Sequence, residues 1–377
     1  MKKKKQIIFL IICAVSLLFL GVCLVRISHW KNLLETQHSA ERWSGDSDIT
    51  MAQISCFMPV GGEIGESEIY SFRSALDSKL TEAAITAPEN GSLYIDGYSA
   101  RGNINVSGDR GSAAASAIGI GGDYFFFHPL ELLSGSYISG DDLMHDRVVL
   151  DEELAWKLFG SSDLAGMTVT INEKPYYIAG VVRRETDAAN SKAYSDGAGI
   201  FLAYDELTSA DSPKINCYEI SMPNPLSGFA MDIVSNSFPL GSGTALENSR
   251  RYSFGTILGF FKNYGERSMQ ISGVVMPYWE NAARYTEDRV ALLFVFVFLF
   301  SLAPAALLFI SVSLIIRIIK RGTGRIKSGI KDIYEYGLPQ RSKDAAKRCG
   351  ILSGITRRLR PSGKHLAASS ASDDIKT

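Results

Sequence analysis

The chain has 377 residues, with 39 Lys and Arg against 40 Asp and Glu, a net charge of −1, and 46% hydrophobic residues. The charge is unevenly placed: residues 1–6 hold four lysines and no acid, residues 317–377 carry a net +10, and the remainder carries −15. Such asymmetry reports topology, and it excludes a cytosolic enzyme, a collagen-like fibre and a disordered chain.

The first element is Ile7 to Val25, 19 residues without a charge behind Lys2, Lys3, Lys4 and Lys5. A helix of that length crosses a hydrocarbon core of about 30 Å. A cleaved signal peptide fits less well, because its apolar run is usually about 7–15 residues and ends near an Ala-x-Ala site. A lipoprotein anchor at Cys23 wants a small residue before it, and Val22 stands there. The expectation is an uncleaved transmembrane helix.

Residues 26–289 follow, 264 in all, enough for one large domain or two compact ones. Thr50–Met58 places Ala52, Ile54, Cys56 and Met58 on one face, as a half-buried strand does. Ile69, Phe72, Leu76 and Leu80 then recur at helical spacing, with Ser67 as the cap. The same order returns at Ile215–Met222, a strand with Tyr218, Ile220 and Met222 on one face. Asn224-Pro225 follows as cap and first turn of a helix striped by Leu226, Phe229, Ile233 and Val234. The two βα units are expected to pack as one α+β subdomain.

Between them, Gly91–Gly122 is rich in Gly, Ser and Asn and predicts turns and short strands. The acidic loop Gly140-Asp141-Asp142 comes next. A short strand at Arg147–Leu150 leads to a brief helix at Asp151–Phe159, stopped by Gly160. Met167–Ile171 and Tyr176–Val182 read as strands joined through Asn172-Glu173-Lys174-Pro175, a hairpin by its turn chemistry. Residues of about 91–212 therefore form a β-rich insertion between the two βα units.

Val290 to Ile316 is the second uncharged run, 27 residues long, followed by Arg317, Lys320, Arg321, Arg325 and Lys327. Basic residues before the first span and after the second place both termini in the cytoplasm and residues 26–289 outside. Trp30, Tyr278, Trp279 and Tyr285 fit an aromatic belt at the outer interface, and Pro304 sits mid-span. Ser301, Ser311, Ser313 and the Ala303–Ala306 patch suit a helical neighbour, unless the serines bond back to their own carbonyls. The tail, residues 317–377, has a second basic cluster at Arg357, Arg358 and Arg360, which suits anionic lipid.

Chemical motifs are weak throughout. Gly119-x-Gly121-Gly122 lacks the Lys and Ser or Thr of a phosphate loop. In Gly322-x-Gly324-x-x-Lys327-Ser328 the Lys and Gly are not adjacent. Asp141, Asp142, His145 and Asp146, with His128 more distant, lack the spacing of a metal site and read as a surface loop. His29, His38, His128 and His145 lie outside the membrane, none in a nucleophile context such as G-x-S-x-G. Cys13 and Cys23 fall inside the membrane and Cys349 in the cytoplasm. Cys56 and Cys217 lie on the equivalent strands, either as buried thiols or, if their Cα atoms approach to about 4.4–6.8 Å, as a disulfide.

Three strings add a resemblance: Gly122–Gly135 (GDYFFFHPLELLSG), Asp146–Gly160 (DRVVLDEELAWKLFG) and Asp163–Val182 (DLAGMTVTINEKPYYIAGVV). In order, they resemble the periplasmic core domain of MacB-type ABC transporter permeases. Asp123, Tyr124, Leu133, Gly135, Leu154, Ala155, Leu158, Phe159, Gly160, Gly166, Asn172, Tyr177, Gly180 and Val181 hold matching places. The resemblance covers roughly residues 45–285 and is strongest over 122–182. It implies a porter-like α+β unit interrupted by a β-rich subdomain, with no catalytic residue, cofactor or metal in this chain. In such systems ATP hydrolysis belongs to a separate cytoplasmic protein or domain. The family's permeases have four spans, whereas two are present in this sequence.

Together these readings predict an α+β ectodomain, residues 26–289, between transmembrane helices at 7–25 and 290–316. A cytoplasmic N-terminus covers residues 1–6 and a basic cytoplasmic tail covers 317–377. The expected function is a non-enzymatic, permease-like membrane subunit whose ectodomain binds a substrate or partner and relays motion across the bilayer. Its expected partners are lipid, an ABC ATPase, and a full-length permease or a second copy, with no nucleic acid. The alternative is a membrane-anchored interaction or sensory module with no transport role.

Overall fold

A computed structural model of the chain describes residues 2–45, 49–87, 91–139, 142, 144–194, 198–211, 214–262 and 276–336. It divides into two compact units, Met1–Ser301 and Leu302–Thr377. The described part of the second unit is helical.

Helices α1 (Lys2–Lys31) and α2 (Ser39–Ser44) lead into strand β1 (Met51–Phe57), helix α3 (Glu66–Glu82) and the long hairpin of β2 (Ile95–Gly108) and β3 (Gly111–Gly122). After α4 (Tyr124–Phe127) and β4 (Glu131–Gly135) come β5 (Arg147–Asp151), α5 (Glu152–Leu158), β6 (Thr168–Ile171) and β7 (Lys174–Arg183). Then follow α6 (Asn190–Ala193), β8 (Gly199–Ala203), α7 (Tyr204–Asp211), β9 (Cys217–Pro223), α8 (Phe229–Ser237) and β10 (Thr244–Glu247). A 3-10 turn at Asn248–Arg250, α9 (Phe254–Lys262) and α10 (Tyr278–Tyr336) complete the described chain.

The strands form one sheet in the order β10-β1-β9-β2-β3-β8-β5-β7-β4, with β6 pairing both β2 and β7. Its first four strands, renumbered along the chain, stand 4-1-3-2 with every neighbouring pair antiparallel. This is the split βαβ arrangement expected when two βα units interlock. The pairings β2–β3–β8–β5–β7–β6–β2 close on themselves, so the insertion is a six-stranded circuit that shares β2 with the porter-like sheet. The fold is α+β, as the sequence predicts.

Local chemistry explains most of the elements. Asp151 caps α5, its Oδ1 accepting from the Leu154 N–H at 2.7 Å. Asn172 and Glu173, at φ 48° and 69°, form the two-residue turn between β6 and β7, the backbone twist that a tight hairpin favours. Ser67 is not the cap of α3 but lies in its first turn, and Glu68 reaches back to the Gly65 N–H at 3.1 Å. Helix α8 starts at Phe229, later than expected, which leaves Leu226 exposed outside its stripe. Asn224 still serves it, accepting from the Ala230 N–H at 3.2 Å.

The glycine-rich stretch differs most from expectation. Instead of turns and short strands it is the β2–β3 hairpin, strands of 14 and 12 residues. A Cβ on Gly121 would lie 2.1 Å from the ring of Tyr98, its partner across the hairpin. Gly97, Gly108, Gly119 and Gly121 make room for neighbours, a packing role, whereas Gly111, at φ 128° with open space around it, serves the turn.

Both faces of the porter-like sheet are covered. On one, Ala52, Ile54 and Cys56 of β1 pack with Ile69, Phe72, Leu76 and Leu80 of α3 and Ile233 and Val234 of α8. On the other, Phe57 and Cys217 pack with Trp279, Ala282 and Ala283 of α10. Tyr278 and Trp279 are therefore in the core of the folded domain, not in an interfacial belt. Trp30 and Tyr285 do meet edge to face, 6.0 Å apart. Ser301 bonds back to the Phe298 carbonyl at 2.7 Å.

Candidate functional site

The face of β1 and β9 turned away from α3 and α8 holds Gln53, Ser55, Glu219 and Ser221, all buried. Strands with apolar and polar residues in alternation ordinarily leave the polar face in water. Here residues 34–39 and the start of α10 cover it, so each polar group needs a partner inside the protein.

The partners form two hydrogen-bonded groups, one around Gln53 and Ser221 and one around Ser55 and Glu219. The Gln53 amide donates to the Thr36 carbonyl at 2.7 Å and accepts from the Ser39 N–H at 3.1 Å. The Ser39 and Ser221 hydroxyls lie 2.8 Å apart. Ser55 Oγ donates to Glu219 Oε1 at 2.7 Å and accepts from Asn248 Nδ2 at 2.8 Å. The other oxygen of Glu219 meets His128 Nε2. The His128 ring lies between Tyr124 and Trp279, with centroids 4.4 and 4.3 Å away.

Asn248 links the second group to Arg251. Its Oδ1 accepts from Arg251 Nη1 at 3.1 Å. The same guanidinium grips the Glu280 carboxylate in a fork at 2.8 and 2.6 Å, donates through Nε to Glu287 at 2.5 Å, and reaches Gln37 at 3.2 Å. Arg251 is 5% exposed and Glu280 1%. Arg284 adds a second cation 2.9 Å from Glu280. Burial alone would raise the Glu280 carboxyl, but Arg251 and then Arg284 outweigh it and hold it below its ordinary value. Burial alone would lower Arg251, and Glu280 reverses that as well.

One hydrogen-bonded chain thus runs from β9 and β1 through the 3-10 turn into the first three turns of α10. Most of its donors and acceptors are committed to each other, an arrangement suited to holding elements in register, whereas the buried Nδ1 of His128 has no partner among the described residues. Sequence reading missed it, although two signals were present. Polar residues alternate with apolar ones in both central strands, and Glu280, Arg284 and Glu287 share one helix face just before an uncharged run.

The residues singled out in the sequence are dispersed. His128 belongs to the junction, whereas His145 Nδ1 lies 3.4 Å from Asp205 Oδ2. Asp141 falls outside the described residues. Among the described residues no group of three or more His, Cys, Asp or Glu is placed to hold a metal. Gly119, Gly121 and Gly122 lie in β3, and the segment from Gly322 to Ser328 is helical, so neither glycine motif forms a phosphate-binding loop. Strands β1 and β9 are neighbours, but Cys56 stands opposite Tyr218 and Cys217 opposite Phe57. That one-residue offset points the two thiols to opposite faces, and both are free. A disulfide between them is excluded.

A separate cleft of about 120 Å³ opens among α3, α7 and the end of β3, with Tyr70, Tyr98, Tyr204, Glu66 and Asp205 in its lining. The Tyr98 hydroxyl donates to Glu66.

Residues 32–222 match the family model of the MacB-like periplasmic core domain. The chain belongs to that family. The match begins before the resembling stretch read from the sequence and ends short of its expected limit near residue 285. Among curated relatives, the macrolide export ATP-binding/permease protein MacB of Aggregatibacter actinomycetemcomitans is 28% identical over 106 residues, covering 28% of this chain and 16% of that protein. MacB of Chromobacterium violaceum is 37% identical over 70 residues, covering 18% of this chain and 11% of that protein. The chain thus matches only a small part of those relatives' length. The solved periplasmic region of MacB from Actinobacillus actinomycetemcomitans aligns at 17% identity and a TM-score of 0.38, covering 56% of this chain and 92% of that one. The extracellular domain of the noncanonic ABC-type transporter YknZ from Gram-positive bacteria aligns at 12% identity and a TM-score of 0.35, covering 52% and 98%. This chain therefore combines a MacB-like periplasmic core domain with two helices long and apolar enough to cross a membrane.

Proposed function

We propose that the chain is a non-enzymatic, permease-like membrane subunit whose ectodomain binds a substrate or partner and relays motion between that ectodomain and the bilayer. The carrying observation is the Arg251 junction. A buried ion network that locks the start of α10 to the central strands lets a displacement of one move the other. The cleft beside Tyr98 and Tyr204 is the place where a substrate or partner docks. Both termini lie in the cytoplasm, where a separate ABC ATPase supplies the hydrolysis, and a full-length permease or a second copy packs against the two spans.

The test is purification of the tagged full chain from its own membranes in mild detergent. Recovery of an ABC ATPase in stoichiometric amount supports the reading. A chain that purifies without any transporter component, yet binds a ligand through its ectodomain, is an interaction or sensory module instead.

A further inference from the structure

Helix α9 is apolar on both of its sides. Ile257 and Phe260 are buried against Ile27 of α1 and Val290 and Ala291 of α10. The other side shows Phe254, Leu258 and Phe261, which are 67, 50 and 51% exposed. Their spacing of four and three residues puts them on one helix face. Three large apolar side chains in a row make a patch that water alone would not favour.

The surroundings identify what covers it. Ile27 stands two residues past the uncharged run that ends at Val25, and Val290 is the first residue of the second such run. Helix α9 therefore sits where both apolar runs meet the ectodomain. The Trp30–Tyr285 contact lies at the same level, and such aromatic pairs favour the membrane–water boundary. In the two long helices Leu24, Val25 and Leu292, each within three residues of the α9 contacts Ile27 and Ala291, are likewise exposed. Lys262 closes the helix with an exposed charge.

We infer that the Phe254–Leu258–Phe261 face of α9 is a lipid-docking surface, buried in the interfacial layer of the outer leaflet beside the two spans. Helices of this kind sit about 5–10 Å into the headgroup and acyl boundary. Arg251 lies three residues before α9, so the helix fixes the height of the buried junction above the membrane. The inference rests on α1 and α10 crossing the bilayer, and not on any ATPase partner.

Spin labels on single cysteines test it, with the full chain in phosphatidylcholine–phosphatidylglycerol vesicles. Cys349→Ser serves as the background, because the cysteines at 13, 23, 56 and 217 are buried. Labels go at Phe254→Cys, Leu258→Cys and Phe261→Cys, with Phe298→Cys as the lipid reference and Tyr70→Cys as the water reference. Unchanged tryptophan emission confirms that each variant is folded. At 258 and 261 we expect collisions with oxygen to exceed those with a water-soluble nickel chelate, as at 298, with the opposite order at 70. Nickel preference at 258 and 261 overturns the inference. So does a rigid label that meets neither reagent, which would mean that protein covers the face. Nickel preference at 298 as well would instead remove the membrane placement of α10.

Discussion

Replacing Arg251 with Met is the sharpest test of the junction. The change deletes five hydrogen bonds, two to Glu280 and one each to Glu287, Gln37 and Asn248. Removing one partner of a buried ion pair costs about 3–5 kcal/mol, because the remaining charge stays desolvated. Arg284 remains 2.9 Å from Glu280 and keeps part of its compensation, so the lower end, about 3 kcal/mol, is expected. For a domain of this size each kcal/mol shifts Tm by about 2–4 °C, which gives a fall of roughly 6–12 °C. Thermal unfolding of the detergent-solubilised chain measures the shift. Hydrogen exchange should place the loosening at 248–253 and 278–289. Adding Glu280→Gln and Glu287→Gln to Arg251→Met should return at least about 1 kcal/mol, since no buried charge is then stranded at those two positions. An Arg251→Met protein within about 1 kcal/mol of the parent, or one that loosens elsewhere, refutes the reasoning.

Four further outcomes follow from the structure. Because Glu280 titrates below its ordinary value, its stabilisation is present above the unfolded value of about 4.3 and is lost as pH falls through the lower folded value. Glu280→Gln should therefore flatten the acid side of the Tm profile, and an unchanged profile counts against it. Gly180→Ala would place a Cβ 2.5 Å from the Ser136 carbonyl oxygen and 2.8 Å from that of Ser134; a loss of about 1–3 kcal/mol in thermal unfolding is expected. Cys56 and Cys217, whose thiols burial pushes up, should resist alkylation in the folded chain and both react after denaturation without reductant, whereas a two-dalton mass deficit contradicts the register. A cysteine at Ser139 should react with an impermeant thiol reagent in intact cells and one at Ser369 should not; the reverse inverts the topology.

The legible parts of the fold were those with local causes. Apolar spacing marked β1 with α3 and β9 with α8, and the residues of the β6–β7 turn marked the hairpin. The β2–β3 hairpin was hidden because several of its glycines answer to residues that only the fold brings near, as Gly121 answers to Tyr98, Gly119 to Leu207 and Gly108 to Phe159, and those neighbours cannot be read locally. The thiol geometry was hidden for a related reason. Strand adjacency was inferable from the paired units, but the one-residue offset that separates Cys56 from Cys217 is set by tertiary pairing. The junction combines residues 37, 55, 128, 219, 248, 251, 280 and 287, which only the closed fold brings together. Of the basic tail, residues 337–377 lie outside the described residues, the cluster at Arg357, Arg358 and Arg360 among them.

The relay is tested most directly by a spin label at Ser78→Cys, exposed on α3 and outside the cleft lining, in the complex with the ABC ATPase that the proposal expects. Spectra are compared without nucleotide and with ATP and vanadate, in the parent chain and in Arg251→Met. The account predicts a nucleotide-dependent change in the mobility or pairwise distance of the label in the parent, and its loss in Arg251→Met while the ATPase stays bound. The same change in both proteins, or none in the parent, would contradict it.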